Sequence, residues 1–500
     1  MSSGRGWPLV LAAAGVAVVV LAAIGSALAP SWQRPELPAD RGFDDVPEAP
    51  AAPEPPQAAE PLKHEEISVP VGDTTLGGTV ISPGTPGRHP AVVYVQGGGT
   101  GTRGGYVEQA EKMARAGFVS LVYDKRRTGY TFLHRDYGQL ADDALAMVRL
   151  LRGRADVDPA RVGLWGISEG GWVVPLAAGG SADVAFGILA SAPTTSPGDQ
   201  ASWAIDDGLQ RQHAPAGARR WVSRALAIGG TDYVGHDAIG PLKRMRQPVL
   251  AFYGTEDRAV PPAESARILA DTLNGAGNHA YTIRFLPGAD HSLRIDGAPA
   301  PGYLATMVAW INGLPGTGTP PPDLRIAGTR PVADPVQKYA AVPQPAVPPY
   351  ATMPVLTALF GLVAAGYLAG PVAALVARRR RRGRPAPPDA TWRAVRRRVR
   401  RMTAAGAGTA VGLNVVLGAL VTVAFTGGPA IVAPAGWAAL RLTALATVLA
   451  AAGTGVAVTA ARRDGWHPTG VARVSLAGAS GATALVLLIA AYWELFAPHW

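Results

Sequence analysis

Cysteine is absent from this chain of 500 residues. Its absence excludes disulfides, thiolate metal sites and a cysteine nucleophile, so any covalent catalysis needs another side chain. Charge is scarce as well, because 16% of the residues are charged while 48% are apolar. A purely soluble chain normally carries more charge, so this balance indicates long uncharged runs of the kind that cross membranes.

The net charge of +10 is concentrated in one short segment. Twelve arginines and one acid lie between Arg378 and Arg401, which gives that segment a local charge of +11. The rest of the chain therefore sums to about −1, and no basic surface is left over for a nucleic acid. We expect no nucleic-acid partner. An arginine run beside an apolar segment instead indicates membrane topology.

Five apolar runs are long enough to cross a bilayer, which takes about 20 helical residues, and only the run at 437–460 contains a charged residue, Arg441 near its start. The first, residues 9–29, predicts an N-terminal signal anchor or a cleaved signal peptide. Cleavage after Ala29 would leave Pro30 as the first mature residue, which favours the anchor. The other four predict a four-helix transmembrane region and cover residues 355–377, 404–426, 437–460 and 474–492.

The loops between these runs predict which side of the membrane each segment occupies. Loops 378–403 and 461–473 are rich in arginine, whereas loop 427–436 carries no charge. Positively charged loops stay in the cytoplasm, so the N-terminus is expected inside and residues 30–350 outside. The sequence therefore predicts a multi-pass plasma-membrane protein with a large extracytoplasmic domain.

Proline marks the domain boundaries. Nine prolines with seven acids lie in residues 30–62, and eleven prolines lie in residues 315–354. Such segments are extended spacers that bury no core. The predicted organisation is an anchor (1–29), a linker (30–64), a folded domain (65–314), a second linker (315–354) and a transmembrane region (355–500).

Strand and helix patterns alternate within residues 65–314. Short apolar runs bounded by Gly, Pro or Asp predict strands at 67–71, 77–81, 91–96, 118–123, 162–165, 184–190, 249–253 and 281–286. Helical spacing lies between several of them, as in Leu140, Ala144, Met147 and Leu151. The expected fold class is α/β, with a mostly parallel eight-stranded sheet and helices on both faces. Ligands bind such sheets beyond the carboxyl ends of the strands.

A nucleophile motif follows the strand at 162–165. Residues 166–170 read Gly-Ile-Ser-Glu-Gly, the G-x-S-x-G pattern of a sharp turn between a strand and a helix. That turn exposes a serine hydroxyl at the edge of the sheet. A chance match is a real alternative in a chain with 61 glycines, but the position between strand and helix predicts Ser168 as a nucleophile.

A serine nucleophile needs a histidine base and an orienting carboxylate. Asp257 and Glu256 follow the strand at 249–253, and His291 follows the strand at 281–286. This is the chain order expected after an elbow serine. The rival histidine, His279, precedes its strand and would lie at the opposite edge. We expect Ser168, Asp257 and His291 to form the triad, with the shorter carboxylate preferred over Glu256.

Acyl transfer also needs N–H donors for the developing oxyanion. One predicted donor is the backbone N–H of Glu169. The other lies in the glycine-rich loop after the strand at 91–96, where Gly98 is preferred and Gly97 is the alternative. No Gly-Lys-Ser/Thr follows that loop, so a phosphate-binding P-loop is excluded.

These motifs together resemble the α/β-hydrolase superfamily, in particular its dienelactone-hydrolase and serine-aminopeptidase-like branches. Residues 123–129 (Tyr-Asp-Lys-Arg-Arg-Thr-Gly) look like the "YDKRGTG" segment of such proteins, and residues 168–172 and 254–261 also look like theirs. The resemblance implies a small cap at about 196–247 that shapes the substrate site. Two residues depart from the pattern: Gln96 stands in place of a histidine and Arg127 in place of a glycine.

The resulting hypothesis is an extracytoplasmic serine hydrolase that cleaves a carboxylic ester or a related acyl bond. Peptide or amide hydrolysis on the same triad is the first alternative, and an inactive sensor or docking domain is the second. The expected partner is a small acyl substrate or a short peptide. The mechanism requires no metal and no organic cofactor.

Overall fold

The computed structural model describes residues 7–30, 34–37, 55, 60–99, 101–229, 231–314, 326–328, 337–341, 343–380 and 390–498. The chain forms two compact units. The sheet unit comprises Gln33–Ala204 and Thr231–Pro343, and the helical unit comprises Met1–Trp32, Ile205–Gly230 and Gln344–Trp500.

The sheet unit is built on one large, mostly parallel sheet. In the described part of the chain its strands run in the spatial order β1-β2-β4-β3-β5-β6-β7-β8-β11. β1 pairs antiparallel with β2, and β2 with β4, while all the other pairs are parallel. The strands are β1 (Lys63–Val71), β2 (Thr74–Ser82), β3 (His89–Val95), β4 (Val119–Tyr123), β5 (Val157–Ile167), β6 (Gly187–Ala190), β7 (Val249–Gly254), β8 (Tyr281–Leu286) and β11 (Ile326–Gly328).

Helices cover both faces of this sheet. Asp136 begins one of them, because its side chain accepts a hydrogen bond from the backbone N–H of Gln139 at 3.0 Å. A two-stranded ribbon, β9 (Arg294–Ile295) with β10 (Ala298–Pro299), follows β8. The helices are α2 (Val107–Arg115), α3 (Tyr137–Arg152), α4 (Gly170–Gly180), α7 (Ile239–Arg244), α8 (Pro262–Gly275), α9 (Tyr303–Asn312) and the start of α5 (Pro197–Arg211), with a 3-10 turn at Arg103–Tyr106.

Alternation along the strands divides the core into two layers. In β3, Val93 and Val95 pack into a cluster with α3, α4 and α8, whereas Val92 and Tyr94 pack into a second cluster with α2 and α9. Because successive side chains of a strand point to opposite faces, a central strand must be apolar throughout. All five residues of β4 are buried for this reason. The expected α/β architecture is therefore confirmed.

A ninth strand lies in a segment that the sequence predicted to be linker. β11 pairs parallel with β8, with Ile326 opposite Ile283. Farther along, Gln337 and Ala341 bond to the buried carboxylate of Glu264, at 3.3 and 2.6 Å. Three paired residues are too few to give a strand pattern in a proline-rich sequence, so this extension of the sheet unit was not foreseen.

Within its described residues, the helical unit contains five helices that are long and apolar enough to cross a membrane. α11 is 37 residues long and begins at Ala390, inside the segment predicted to be the basic loop 378–403. Arginine is a good helix former, so the helix runs on beyond the apolar residues. The five helices are α1 (Trp7–Leu28), α10 (Met353–Arg380), α11 (Ala390–Thr426), α12 (Val432–Arg463) and α13 (Gly470–Tyr492).

Half of the predicted cap lies in the helical unit. Residues 205–230 include α6 (Ala216–Ile228), whose fully buried Trp221 lies 5.7 Å from the ring of Trp437 and 6.1 Å from that of Trp493. Two arginines of α6 also pair with Glu494. The sequence predicted one cap at 196–247, whereas the structure divides that insertion between the units.

Candidate active site

The carboxyl ends of the central strands meet at one edge of the sheet. The N–H of Ser168, which follows β5, bonds to the carbonyl of Ala190 at the end of β6 (3.0 Å). The N–H of Thr255, which follows β7, donates to the carbonyl of Leu286 at the end of β8 (3.1 Å). Consequently the loops after β5, β7 and β8 leave the sheet at the same edge, as side chains that act together require.

Ser168 sits in a strained turn. Its φ is +53°, a conformation that non-glycine residues rarely adopt. Close packing holds the turn in place, because a Cβ on Gly166 would lie 2.5 Å from the carbonyl oxygen of Gly170. A Cβ on Gly170 would lie 2.6 Å from that of Val95. The glycines of the motif are therefore demanded by contact between the turn, α4 and β3.

His291 and Asp257 are brought into direct contact. His291 Nδ1 lies 2.9 Å from Asp257 Oδ2, and the aspartate is fully buried. Its Oδ1 also accepts hydrogen bonds from the N–H groups of Ala259 (2.8 Å) and Val260 (2.9 Å). Burial on its own lowers the pKa of His291, but the Asp257 carboxylate outweighs it and raises the pKa above 6.5. This arrangement orients the imidazole and stabilises its protonated form.

The two rival residues lie elsewhere. The Glu256 side chain is half exposed and pairs with Arg258 at 3.3 Å, so it does not reach the imidazole. His279 precedes β8 and bonds through Nδ1 to Asn274 Oδ1 at 3.0 Å. The structure thus joins the histidine and the aspartate that chain order selected. The catalytic roles of Ser168, Asp257 and His291 stay predictions.

The glycine loop after β3 passes beside the elbow. A Cβ on Gly97 would lie 3.5 Å from Ser168 Cβ. The N–H of Gly97 already donates to Tyr106 Oη (3.2 Å), and that of Gly99 donates to Tyr130 Oη (3.0 Å). Among the described residues, the N–H groups of Gly98 and Glu169 have no protein acceptor. Both N–H groups are therefore free to donate to an oxyanion, and their role in an oxyanion hole stays a prediction.

The Glu169 side chain forms a buried charge cluster next to Ser168, which the sequence did not reveal. Its carboxylate contacts Lys125 Nζ at 2.6 Å and Arg135 Nη1 at 2.5 Å. Tyr130 Oη donates to it at 2.9 Å. Side-chain exposure is 2% for Glu169, 5% for Lys125 and 15% for Arg135. One buried carboxylate therefore pairs with two cations, a pattern that only the folded chain shows.

The same cluster ties the glycine loop to the elbow. Lys125 Nζ donates to the carbonyl of Gly97 as well as to Glu169, and Tyr130 Oη bonds to both Gly99 and Glu169. Burial lowers the pKa of Lys125, and the nearby Glu169 carboxylate opposes that shift. Glu169 thus fixes the loop that carries one predicted oxyanion donor, while its own N–H is the other.

The two departures from the family pattern leave this geometry intact. Gln96 Nε2 donates to the carbonyl of Tyr123, which holds the start of the glycine loop. Arg127 is exposed and its φ is not positive, so no glycine is needed there. Nearby, Asp124 accepts hydrogen bonds from Arg103 N (2.9 Å) and Nη1 (2.6 Å), a structural role. Within the described residues, no group of three or more His, Asp or Glu side chains could hold a metal ion.

Comparison with known proteins found a family match and a curated relative for part of the chain. Residues 108–316 match the model of the prolyl oligopeptidase family (peptidase S9). A probable dipeptidyl-aminopeptidase B of Podospora anserina is 26% identical over 198 residues, which make up 37% of this chain and 19% of that protein. The chain therefore spans about a fifth of that relative's length.

Solved structures with a similar fold include hydrolases of two kinds. A putative dienelactone hydrolase of Klebsiella pneumoniae is 14% identical, and the match covers 51% of this chain and 99% of that one, with a TM-score of 0.38. An acylaminoacyl peptidase of Pyrococcus horikoshii is 17% identical, covering 51% of this chain and 42% of that one, with a TM-score of 0.38. Residues 108–316 thus match the prolyl oligopeptidase family, and the described residues also include five helices that are apolar enough to span a membrane.

Proposed function

We propose that this protein is a membrane-anchored hydrolase that cleaves a carboxylic ester or a related acyl bond outside the cytoplasm. The observation that carries the proposal is the His291–Asp257 contact of 2.9 Å, at the same sheet edge as the strained Ser168 turn. In acyl transfer the histidine removes the serine proton as the hydroxyl attacks, and later protonates the leaving group. The buried aspartate holds the imidazole in the tautomer that this exchange needs.

The tetrahedral intermediate that follows attack carries a negative oxygen. The N–H groups of Gly98 and Glu169 flank the nucleophile and would donate to that oxygen. Because the Glu169 side chain fixes the glycine loop, both donors are in place before the substrate arrives. Preorganised donors of this kind act without reorganising at the moment of reaction.

Ester hydrolysis is the first assignment because a triad and an oxyanion hole are sufficient for it. Peptide hydrolysis is the second candidate, supported by the match of residues 108–316 to the prolyl oligopeptidase family. Both reactions pass through the same acyl-enzyme at Ser168. They differ in the leaving group that His291 must protonate, an alcohol or an amine.

Labelling with a fluorophosphonate probe tests the nucleophile. We expect the full-length protein in its membranes to be labelled, Ser168→Ala to be unlabelled, and Ser292→Ala, a change at an exposed serine of the same sheet edge, to be labelled like wild type. No labelling of wild type would overturn the proposal. p-Nitrophenyl acyl esters and aminoacyl p-nitroanilides would then assign ester or peptide preference, each with Ser168→Ala as the blank.

The arginine-rich loops support the extracytoplasmic placement, because such loops remain in the cytoplasm. The absence of native cysteine makes this placement simple to test. Ala160 and Arg463 are both exposed, one in each unit. A membrane-impermeant maleimide should label Ala160→Cys on intact cells and Arg463→Cys only after permeabilisation. The reverse pattern would show that the orientation is inverted.

A further inference from the structure

The helical unit contains a cavity that plays no part in the proposed chemistry. It has a volume of about 820 Å³ and lies between α12 and α13, with Met402 of α11 also lining it. α12 packs mainly on α11, and α13 mainly on α10, so the two helices that border the cavity contact each other only sparsely. Its size falls within the usual range of about 300–1,000 Å³ for a ligand site.

The cavity walls are mostly apolar and follow the helix axes. On α12 the lining residues recur at helical spacing from Ala451 to Arg462, including Gly455 and Val458. This face is about 16 Å long at 1.5 Å per residue. One leaflet of a bilayer with a hydrocarbon core of about 30 Å is about 15 Å deep. This part of the cavity, the slot between α12 and α13, therefore has the length of an acyl chain that extends from one membrane surface to the midplane.

One end of the slot is basic. Arg462 at the end of α12, Arg473 at the start of α13 and His467 between them all line the cavity, and none of its described lining residues is acidic. Neither arginine has an ion-pair partner among the described residues. Both helices thus place a guanidinium where the slot opens at the arginine-rich side of the membrane, and a guanidinium binds a phosphate diester well.

We propose that this cavity binds one anionic phospholipid of the arginine-rich leaflet. Its phosphate would contact Arg462 and Arg473, and one acyl chain would fill the slot between α12 and α13. Charge complementarity selects an anionic headgroup, and the depth of one leaflet selects a lipid over a soluble phosphate. The site is independent of Ser168, and the proposal does not depend on which bond the hydrolase cleaves.

Binding is measured on the full-length protein in detergent, by thermal shift during titration with dioleoyl phosphatidylglycerol. Parallel titrations use dioleoyl phosphatidylcholine and inorganic phosphate. We expect stabilisation by phosphatidylglycerol alone, because the other probes lack either the net charge or the chain. Equal stabilisation by both lipids, or an equal effect of free phosphate, would overturn the proposal.

Two sets of variants locate the site. Replacing both Arg462 and Arg473 with glutamine should weaken the apparent phosphatidylglycerol affinity about 30-fold. The matched control changes Arg379 and Arg463 to glutamine, which removes the same charge from exposed residues that do not line the cavity. If both pairs weaken binding equally, the attraction is a general surface effect and the site is refuted.

The acyl slot has its own test. A Cβ on Gly455 meets nothing within 4 Å, so Gly455→Leu adds a side chain to the slot without a clash and with better helix propensity. It should fold and lose most of the stabilisation by phosphatidylglycerol. Gly408→Leu, at an equally open position of α11 that does not line the cavity, should keep it. Unchanged binding by Gly455→Leu would contradict the assigned slot.

Discussion

The buried carboxylate of Glu169, beside Ser168, gives the sharpest prediction. Glu169→Gln keeps the shape of the side chain but leaves Lys125 and Arg135 buried without their counter-charge. Removing one partner of a buried ion pair costs about 3–5 kcal/mol. Because this carboxylate pairs with two cations, we expect a loss of stability near the upper end of that range. That is a large part of the 5–15 kcal/mol that usually separates folded from unfolded protein.

The loss is measurable as a shift in thermal stability. For a unit of this size a cost of about 5 kcal/mol lowers the midpoint by roughly 10–15 °C. The readout is the temperature at which half of the full-length protein stops reacting with the fluorophosphonate, since only the folded hydrolase reacts. The matched control is Glu256→Gln, whose half-exposed carboxylate pairs with Arg258 at 3.3 Å. This surface change should cost less than about 1 kcal/mol.

A double-mutant cycle separates the ion pair from a general packing effect. Lys125→Met alone should be milder than Glu169→Gln, because Arg135 still neutralises the remaining carboxylate. The double variant should cost less than the sum of the two single changes, since it leaves one unpaired cation instead of two. Additive costs, or a midpoint for Glu169→Gln that matches the Glu256→Gln control, would refute the reasoning.

Three further changes probe the triad, the elbow and the helical unit. Asp257→Asn should lower kcat about 10⁴-fold. Because Asp257 raises the pKa of His291, wild-type kcat/KM should fall with acid at a pH above 6.5. This acid limb of the pH profile should move to lower pH in the residual activity of the variant. Gly170→Ala would put a Cβ 2.6 Å from a backbone oxygen and should abolish fluorophosphonate labelling, whereas Gly105→Ala, which meets nothing within 4 Å, should keep it. Glu494→Gln should destabilise the helical unit by about 3–5 kcal/mol, because it leaves two largely buried arginines unpaired, and trypsin should then cut within residues 205–230 at lower temperature.

The sheet was predictable because its signals are local. Runs such as Val-Ser-Leu-Val-Tyr in β4 are apolar throughout, and a strand buried on both faces has to be. Chain order then predicted that Asp257 and His291 lie at the same edge as Ser168, because the strands that precede them are parallel neighbours. A motif in a known strand order therefore carries information about distant contacts.

Other features depend on contacts that leave no local pattern. Lys125 and Glu169 are 44 residues apart, and the sequence around neither residue indicates a buried ion pair. β11 has three residues within a proline-rich stretch, so its strand pattern is too short to recognise. Likewise, Trp221 reads as a cap residue until the packing of α6 is known. Sequence patterns predicted the elements well and the partners of single side chains poorly.

The placement of α6 affects how this protein is to be handled. Trp221 is fully buried against Trp437 and Trp493, so α6 shares its hydrophobic core with α12 and with the residues after α13. A shortened protein that ends before α10 would keep this amphipathic helix but expose the indole surface to water. Exposed apolar patches of that kind cause association. The apolar helices are thus part of the folding unit of the insertion, and a water-soluble fragment needs residues 205–230 redesigned along with the removal of the membrane segments.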